Sequence, residues 1–403
     1  MHPITNPYTP NAGAEPMAVV GRDDQLSSFD ILLARIEAGR AEQSMIITGL
    51  RGVGKTVLLG QFRAKALERR WVVVEIEISK HDESEFRRDL AARLRSALLQ
   101  LSPRARWTER FQHAAAVLKS FTVSIDQGGG WSAGIDVEAA EGLADNGNLA
   151  LDLIDVFTAL GEAARERHLG LVLLLDEIQF LTTPQLEGVI EALHKVVQRR
   201  LPITMVGAGL PQIAALAGDA KSYAERLFKF PAIGNLTDED AAAALVRPAE
   251  DEGVAYTAAA LEEAVSISGG YPYFLQELGY AVWTVSDGPL ITMDDILAAV
   301  PAYEAKLDQS FFRVRLDRAT ELQRAYLRAM AQLGPEPQKA SDVADAMGRS
   351  STNLGPTRAE LISMGLLYTP EHGYAAFTVP HFDKFLLRAI PELQVPPLRR
   401  RNR

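Results

Sequence analysis

Apolar residues gather in short, β-branched runs through the first half of the chain and spread to helical spacing in the second. Residues 45–48 (Met-Ile-Ile-Thr), 71–78 (Trp-Val-Val-Val-Glu-Ile-Glu-Ile), 169–175 (Leu-Gly-Leu-Val-Leu-Leu-Leu) and 203–206 (Ile-Thr-Met-Val) read as strands. The run at 169–175 has no polar position, as a strand buried on both faces of a parallel sheet requires. Helical stretches are predicted over 24–38, 55–70, 84–101 and 149–167, and another carries Leu186, Ile190, Leu193 and Val197 on one face. This alternation predicts an α/β domain, a parallel sheet with helices on both faces. Residues 121–126 and 131–137, around Gly128, Gly129 and Gly130, are expected as a hairpin inserted into it.

After Leu236 the strand-like runs stop. Thr237 with Asp240, and Thr292 with Asp295, carry the signature of helix starts; Gly269 and Gly270 end one helix and 273–285 forms the next. Further on, Ser341 caps a helix that Gly348 ends, and residues 349–353 form a polar turn. Pro356 opens a second helix running to Gly365, and two strand-like runs flank Glu371, His372 and Gly373. Helix, turn, helix and hairpin together resemble a winged helix. The expected division is 1–20, a tail broken by Pro3, Pro7, Pro10 and Pro16; 21–235, the α/β domain with its insertion; 236–309, a helical lid; 310–391, the winged helix; and 392–403, a basic tail.

Composition narrows the chemistry. The absence of cysteine from 403 residues excludes disulfides, thiolate metal sites and cysteine nucleophiles. No apolar run approaches the roughly 18 residues that would span a bilayer, and the start of the chain lacks the basic and apolar segments of a secretory signal, so no membrane contact and a cytoplasmic location are expected. The net charge of −10 argues against a general polyanion coat. It is unevenly spread, however: residues 310–403 hold 14 Lys and Arg against 9 Asp and Glu, an excess of 5, which leaves −15 for the rest.

The sharpest feature is Gly49-Leu50-Arg51-Gly52-Val53-Gly54-Lys55-Thr56, between a predicted strand and a predicted helix, with Val57 following. This is the full phosphate-loop pattern. Glycines let the backbone N–H groups turn inward, and the helix presents its positive end to phosphates. Lys55 can reach the outer phosphates of ATP or ADP, and the Thr56 hydroxyl can bind Mg²⁺. The apolar strand at 171–175 then delivers Asp176 and Glu177 to the edge of the sheet where α/β ligands bind. Asp176 is expected to hold hydrated Mg²⁺, and Glu177 to orient and deprotonate the attacking water.

These residues resemble the additional-strand class of P-loop ATPases, which includes the AAA+ and STAND (signal-transduction ATPase) groups. Several stretches look like the branch of archaeal-type ATPases and origin-recognition relatives. Val20-Gly21-Arg22-Asp23 is similar to the segment that lines the adenine pocket, Asp176-Glu177-Ile178-Gln179 to that branch's acidic strand end, and Gly270-Tyr271-Pro272 to the motif with which a helical lid touches the nucleotide. The resemblance implies a nucleotide-controlled ATPase with ATP and Mg²⁺ as cofactors. Two departures imply slow or partner-dependent hydrolysis. Where the family carries a polar sensor after the fourth strand, this chain has Gly207-Ala208-Gly209-Leu210-Pro211, and only Thr204 lies nearby; the lid also has no sensor arginine beside Pro272. Arg226 stands where relatives carry an arginine finger, which implies a homo-oligomer if it acts across subunits; the alternative is a surface pair with Glu225. A winged helix implies contact with double-stranded DNA, for which Arg349, Ser350, Asn353, Thr357 and Arg358 are the candidates. The alternative is a signalling or defence scaffold whose winged helix binds a protein partner.

Overall fold

The computed structural model describes residues 1–11, 13–79, 82–102, 108–123 and 137–397. The α/β domain opens with α1 (Asp23–Glu37), β1 (Ser44–Thr48), α2 (Lys55–Glu68), β2 (Val72–Glu77), α3 (Glu83–Leu101) and α4 (Glu109–Val123). It continues through α5 (Leu149–Glu166), β3 (Leu171–Asp176), α6 (Thr183–Gln198), β4 (Ile203–Gly209), α7 (Ile213–Ala220), α8 (Ala224–Leu227) and β5 (Phe228–Lys229). The five strands are parallel in the order β2-β3-β4-β1-β5. Leu173 of β3 pairs with Val74 on one side and Met205 on the other, which is why its run is apolar without interruption. One apolar core lies on each face of this sheet.

The expected hairpin at 121–137 meets a helix instead. Phe121, Thr122 and Val123 form the last turn of α4, while 124–136 fall outside the described residues. The governing periodicity is helical: Phe111, Ala114, Ala115, Leu118 and Phe121 are all buried on one face.

The lid comprises α9 (Asp238–Asp251), β6 (Ala255–Tyr256), α10 (Ala258–Ser268), α11 (Pro272–Val285), β7 (Leu290–Ile291) and α12 (Met293–Lys306). β6 and β7 form a small parallel pair that helix signals alone did not suggest. α12 passes through a π-helical turn at Leu307–Phe312 directly into α13 (Arg313–Leu316), so the expected boundary at 309 falls inside a continuous helical stretch. The C-terminal module then runs α14 (Glu321–Leu333), β8 (Gln338–Lys339), α15 (Ala340–Ala346), α16 (Ser351–Ser363), β9 (Leu367–Tyr368), β10 (Tyr374–Phe377) and α17 (Phe382–Ala389). Its strands form an antiparallel sheet ordered β8-β10-β9. α16 begins five residues before Pro356, because Ser350 rather than the proline opens it: its side chain accepts the Asn353 amide. Lys339, not Ser341, precedes the first turn of α15.

The first twenty residues are not a free tail. Tyr8 is buried, its hydroxyl donating to the Leu245 carbonyl at 2.6 Å. The Thr9 amide donates to Gln276 Oε1 (3.0 Å), and Trp283 Nε1 donates to the His2 carbonyl (3.1 Å), which straps the segment to α11. Prolines exclude a helix there, but not burial. No helix among the described residues is long and apolar enough to cross a membrane.

Candidate functional site

β1 ends at the carboxyl edge of the sheet, and the chain turns through residues 49–54 into α2. Gly52 and Gly54 have φ of 84° and 91°, left-handed values that β-carbon-bearing residues resist. Gly52 is also close to the lid: a Cβ there would lie 3.1 Å from the Tyr271 ring. No side chain caps the first turn of α2, so its leading N–H groups are left for another acceptor.

Lys55 Nζ donates to the Gly49 and Leu50 carbonyls (3.0 and 2.8 Å). Burial pushes this amine down to about 8, against the pull of Glu177 and Asp176, and Arg51 adds to the lowering. Thr56 Oγ1 donates to Asp176 Oδ2 at 2.6 Å, joining the loop to the end of β3. Glu177 adopts a left-handed backbone (φ 53°, ψ 37°), the kind of strained residue that clusters at active sites. Its carboxylate accepts from Gln179 Nε2, and Gln179 Oε1 accepts the Leu210 amide at 3.0 Å. This bears on the missing polar sensor: a Cβ at Gly209 would stand 2.9 Å from Gln179 Oε1, so the small residue that ends β4 makes room for the amide that orients Glu177.

A cleft of about 470 Å³ opens beside these groups. Of the residues expected to bind nucleotide, Arg22, Arg51, Gly52, Val53, Gly54, Lys55, Thr56, Val57 and Pro272 line it, together with Glu177; Gly21, Gly49 and Leu50 do not. The Arg22 guanidinium donates to the Val53 and Gly234 carbonyls (3.1 and 2.8 Å), bracing the loop. Gly21 packs against Asp240 and Leu236. Sequence reasoning missed two further walls. One is the N-terminal segment, through residues of 9–11 and 13–19; the other is Ser310, Phe311 and Arg315 at the entry to the C-terminal module. The Arg315 guanidinium lies over the Phe311 ring at 4.0 Å, and burial together with Arg51 pushes it down to about 10. No local signal distinguishes Arg315 from its neighbours Arg313 and Arg318.

The geometry fits a phosphate ligand with its cation. Among the described residues no cluster of three or more His, Asp or Glu could hold a metal alone. Thr56 and Asp176 supply two hard oxygens, which suits Mg²⁺ completed by phosphate and water. Arg51 Nε, buried without an acceptor beside the opening, adds an unmatched donor.

Arg226 is exposed in α8, just before Phe228, which pairs with Ser44 at the start of β1. The phosphate loop leaves the opposite end of β1, so Arg226 stands at the far edge of the sheet. The expected DNA-contacting residues are not brought together as an open cationic face. Arg349 donates to the Pro396 carbonyl, Arg358 to the Tyr374 carbonyl and Thr369 Oγ1, Ser350 caps α16, Thr357 is buried, and Asn353 is exposed.

Comparison with known proteins gives two matches along the chain: the AAA ATPase domain over residues 18–206, and a domain of unknown function (DUF8462) over 309–386. No curated protein matches. Among solved structures, the Walker-type ATPase PABY2304 of Pyrococcus abyssi aligns over 92% of this chain and 97% of its own at 16% identity and a TM-score of 0.57, which shows a shared fold. The Cdc6p of Pyrobaculum aerophilum aligns over 96% and 98% at 15% identity, with a TM-score of 0.46. The match over residues 18–206, with the strand order that frames it, identifies that part of the chain as an AAA ATPase domain.

Proposed function

We propose that the chain is a Mg²⁺-dependent ATP hydrolase working as a nucleotide-controlled switch, with slow turnover on its own. The observation that carries this is the position of the phosphate loop between two other bodies. The Gly52 carbonyl accepts the Tyr273 amide of the lid at 3.2 Å, and the Arg51 amide donates to the Thr378 carbonyl of the C-terminal module at 3.2 Å. To hold phosphates, Lys55 must leave the Gly49 and Leu50 carbonyls, so capture of nucleotide rearranges the loop that both bodies grip. Thr56 and Asp176 would hold Mg²⁺, which supplies charge neutralisation on the phosphates. Glu177, oriented by Gln179, takes the proton of the attacking water. Arg226 is too far round the sheet to serve its own chain, and we read it as a finger for a neighbouring copy in a homo-oligomer.

We read residues 310–391 as a winged helix from their order of helix, strand, helix, helix and hairpin. Contact with DNA through α16 draws little support from the side chains. Arg349 and Arg358 are spent on internal carbonyls, and the exposed positions Ser351, Thr352, Asn353, Gly355, Pro356, Ala359 and Glu360 hold no cation. Coupling inside the chain is the better supported role for the module, and it suits a scaffold that docks protein when released. Calorimetric titration with ATP, paired with steady-state phosphate release, tests the reading. Micromolar binding with slow turnover is expected; absence of nucleotide binding contradicts it.

A further inference from the structure

We propose that the strand-entry edge of the five-stranded sheet, opposite the nucleotide cleft, is a docking row for the phosphate backbone of double-stranded DNA. Arg70, His168 and Arg200 carry it, with Arg40 beside them. It stands whether or not the chain hydrolyses ATP.

α2, α5 and α6 return to the sheet through one turn used three times. Each helix ends on an arginine, Arg69, Arg167 or Arg199, and the residue after it is left-handed: Arg70 at φ 61°, His168 at 54° and Arg200 at 51°. The bonding is identical. The amides of Arg70, His168 and Arg200 donate to the Leu67, Arg165 and Val197 carbonyls, and those of Trp71, Leu169 and Leu201 to the Ala66, Ala164 and Val196 carbonyls. The chain builds the same turn at Gly39, Gly253, Gly348 and Gly365, where the left-handed position holds the residue that takes it without steric cost. Basic side chains at three such positions, on three adjacent strands, are not explained by the turn. Nor does the helix dipole explain them, because the preceding arginine already puts a cation at each helix end.

The two residues of each pair differ in what they touch. The first is engaged: Arg69 donates to Glu37 (3.0 Å) and Arg167 to Ser102 Oγ (2.8 Å), while Arg199 faces Glu162 at 3.9 Å. The side chains of Arg70, His168 and Arg200 are exposed and make no hydrogen bond or ion pair among the described residues. Of the acids within the three turns, Glu166 faces Arg110 at 3.8 Å and only Glu68 is unengaged.

Register sets the second residues in line. Val72, Leu171 and Ile203 pair across β2, β3 and β4; Arg70 stands two residues before this level, and His168 and Arg200 three before. Arg40, also exposed, precedes β1 on the other side of β4. At about 4.8 Å between strands the row is about 14 Å long, over which a duplex carries roughly eight phosphate charges. Trp71 is buried, so the three turns offer no Phe, Tyr or Trp on which an unpaired base could stack, and a duplex is the partner the row fits.

The test is fluorescence anisotropy of the full chain on a labelled mixed-sequence DNA duplex between about 50 and 200 mM salt. R70G/H168G/R200G gives each turn the residue its backbone prefers, so Tm should be unchanged or raised. Wild-type binding is expected at a Kd of about 10⁻⁴–10⁻⁶ M, weakening as salt rises. The triple variant should bind at least about tenfold more weakly, with the slope of log K against log salt reduced by about two to three. R70Q/R200Q keeps the long stems without their charge and should reduce the slope by about two, which reads the same contact should glycine disturb the turns. Absence of salt-dependent binding by the wild type, or wild-type affinity in either variant, overturns the proposal. Tighter binding of duplex RNA or of phosphatidylserine vesicles also overturns it, by giving the row a different partner.

Discussion

The lid and the C-terminal module each touch the phosphate loop through one main-chain hydrogen bond, yet they hold it by different means. On the lid side the bond from Tyr273 to Gly52 sits in aromatic packing: the buried Tyr271 ring abuts Gly52 and packs on Phe274, and Tyr273 stacks on Phe311. On the module side the bond from Arg51 to Thr378 is accompanied by a polar side chain resting on a glycine. The module's own aromatic packing goes to the lid connection, where Phe312 stacks with Phe382 and Phe385. Apolar burial costs several kcal/mol to undo, whereas a main-chain bond contributes about 0.5–1.5 kcal/mol net. The lid is thus a lasting wall of the site, and the module's grip on the loop is the contact that can open.

The comparison can be broken at its chemical centre first. Glu177→Gln is expected to bind nucleotide normally and to lose turnover by about 10²–10⁴-fold, because only the base is removed. Phosphate release at saturating ATP measures it, and both walls should stay in place. Tyr271→Ala attacks the lid wall and should lower stability by about 3–5 kcal/mol in denaturant unfolding. Tyr271→Phe sharpens the point: the hydroxyl is buried without a partner, so its loss should be neutral or stabilising. Lys55→Ala should weaken ATP by roughly ten- to hundredfold, from a charge-assisted contact worth about 1.5–3 kcal/mol, without altering either wall.

The smallest effect is in pH. With its amine pushed down to about 8, Lys55 loses its proton in the nucleotide-free site as pH rises past that value. Phosphates favour the charged form, so binding takes up a proton, and ATP affinity should fall above pH 8 by up to about tenfold per unit. Calorimetry between pH 7 and 9, in buffers of different ionisation enthalpy, checks both affinity and proton uptake.

How much of this the sequence carries follows from range. β1, the phosphate loop and the acidic end of β3 are legible because short apolar runs and fixed spacings are local signals. Thr56 and Asp176 meet as a consequence of strand order. What decides Arg51 is not local: Gly365 reads as a helix terminator and Thr378 as a strand residue, and nothing near either points to the loop. The prolines of the first twenty residues exclude helix but say nothing of Tyr8 beneath the lid. Residues 121–123 show the opposite failure, where β-branched composition outweighed a helical spacing that begins at Phe111. Arg349 and Arg358 have the composition of a DNA-reading helix, while their partners lie in the hairpin and in the chain that follows α17.

The central claim is that the nucleotide state of the phosphate loop reaches the C-terminal module through the loop's own main chain. Hydrogen exchange on the full chain, read at the Arg51 amide and across residues 365–378, tests this most directly with ADP against a non-hydrolysable ATP analogue. The account expects the Arg51 amide and the Thr378 region to lose protection with the triphosphate while the Tyr273 amide keeps it. Equal protection of both contacts in the two nucleotides would contradict it.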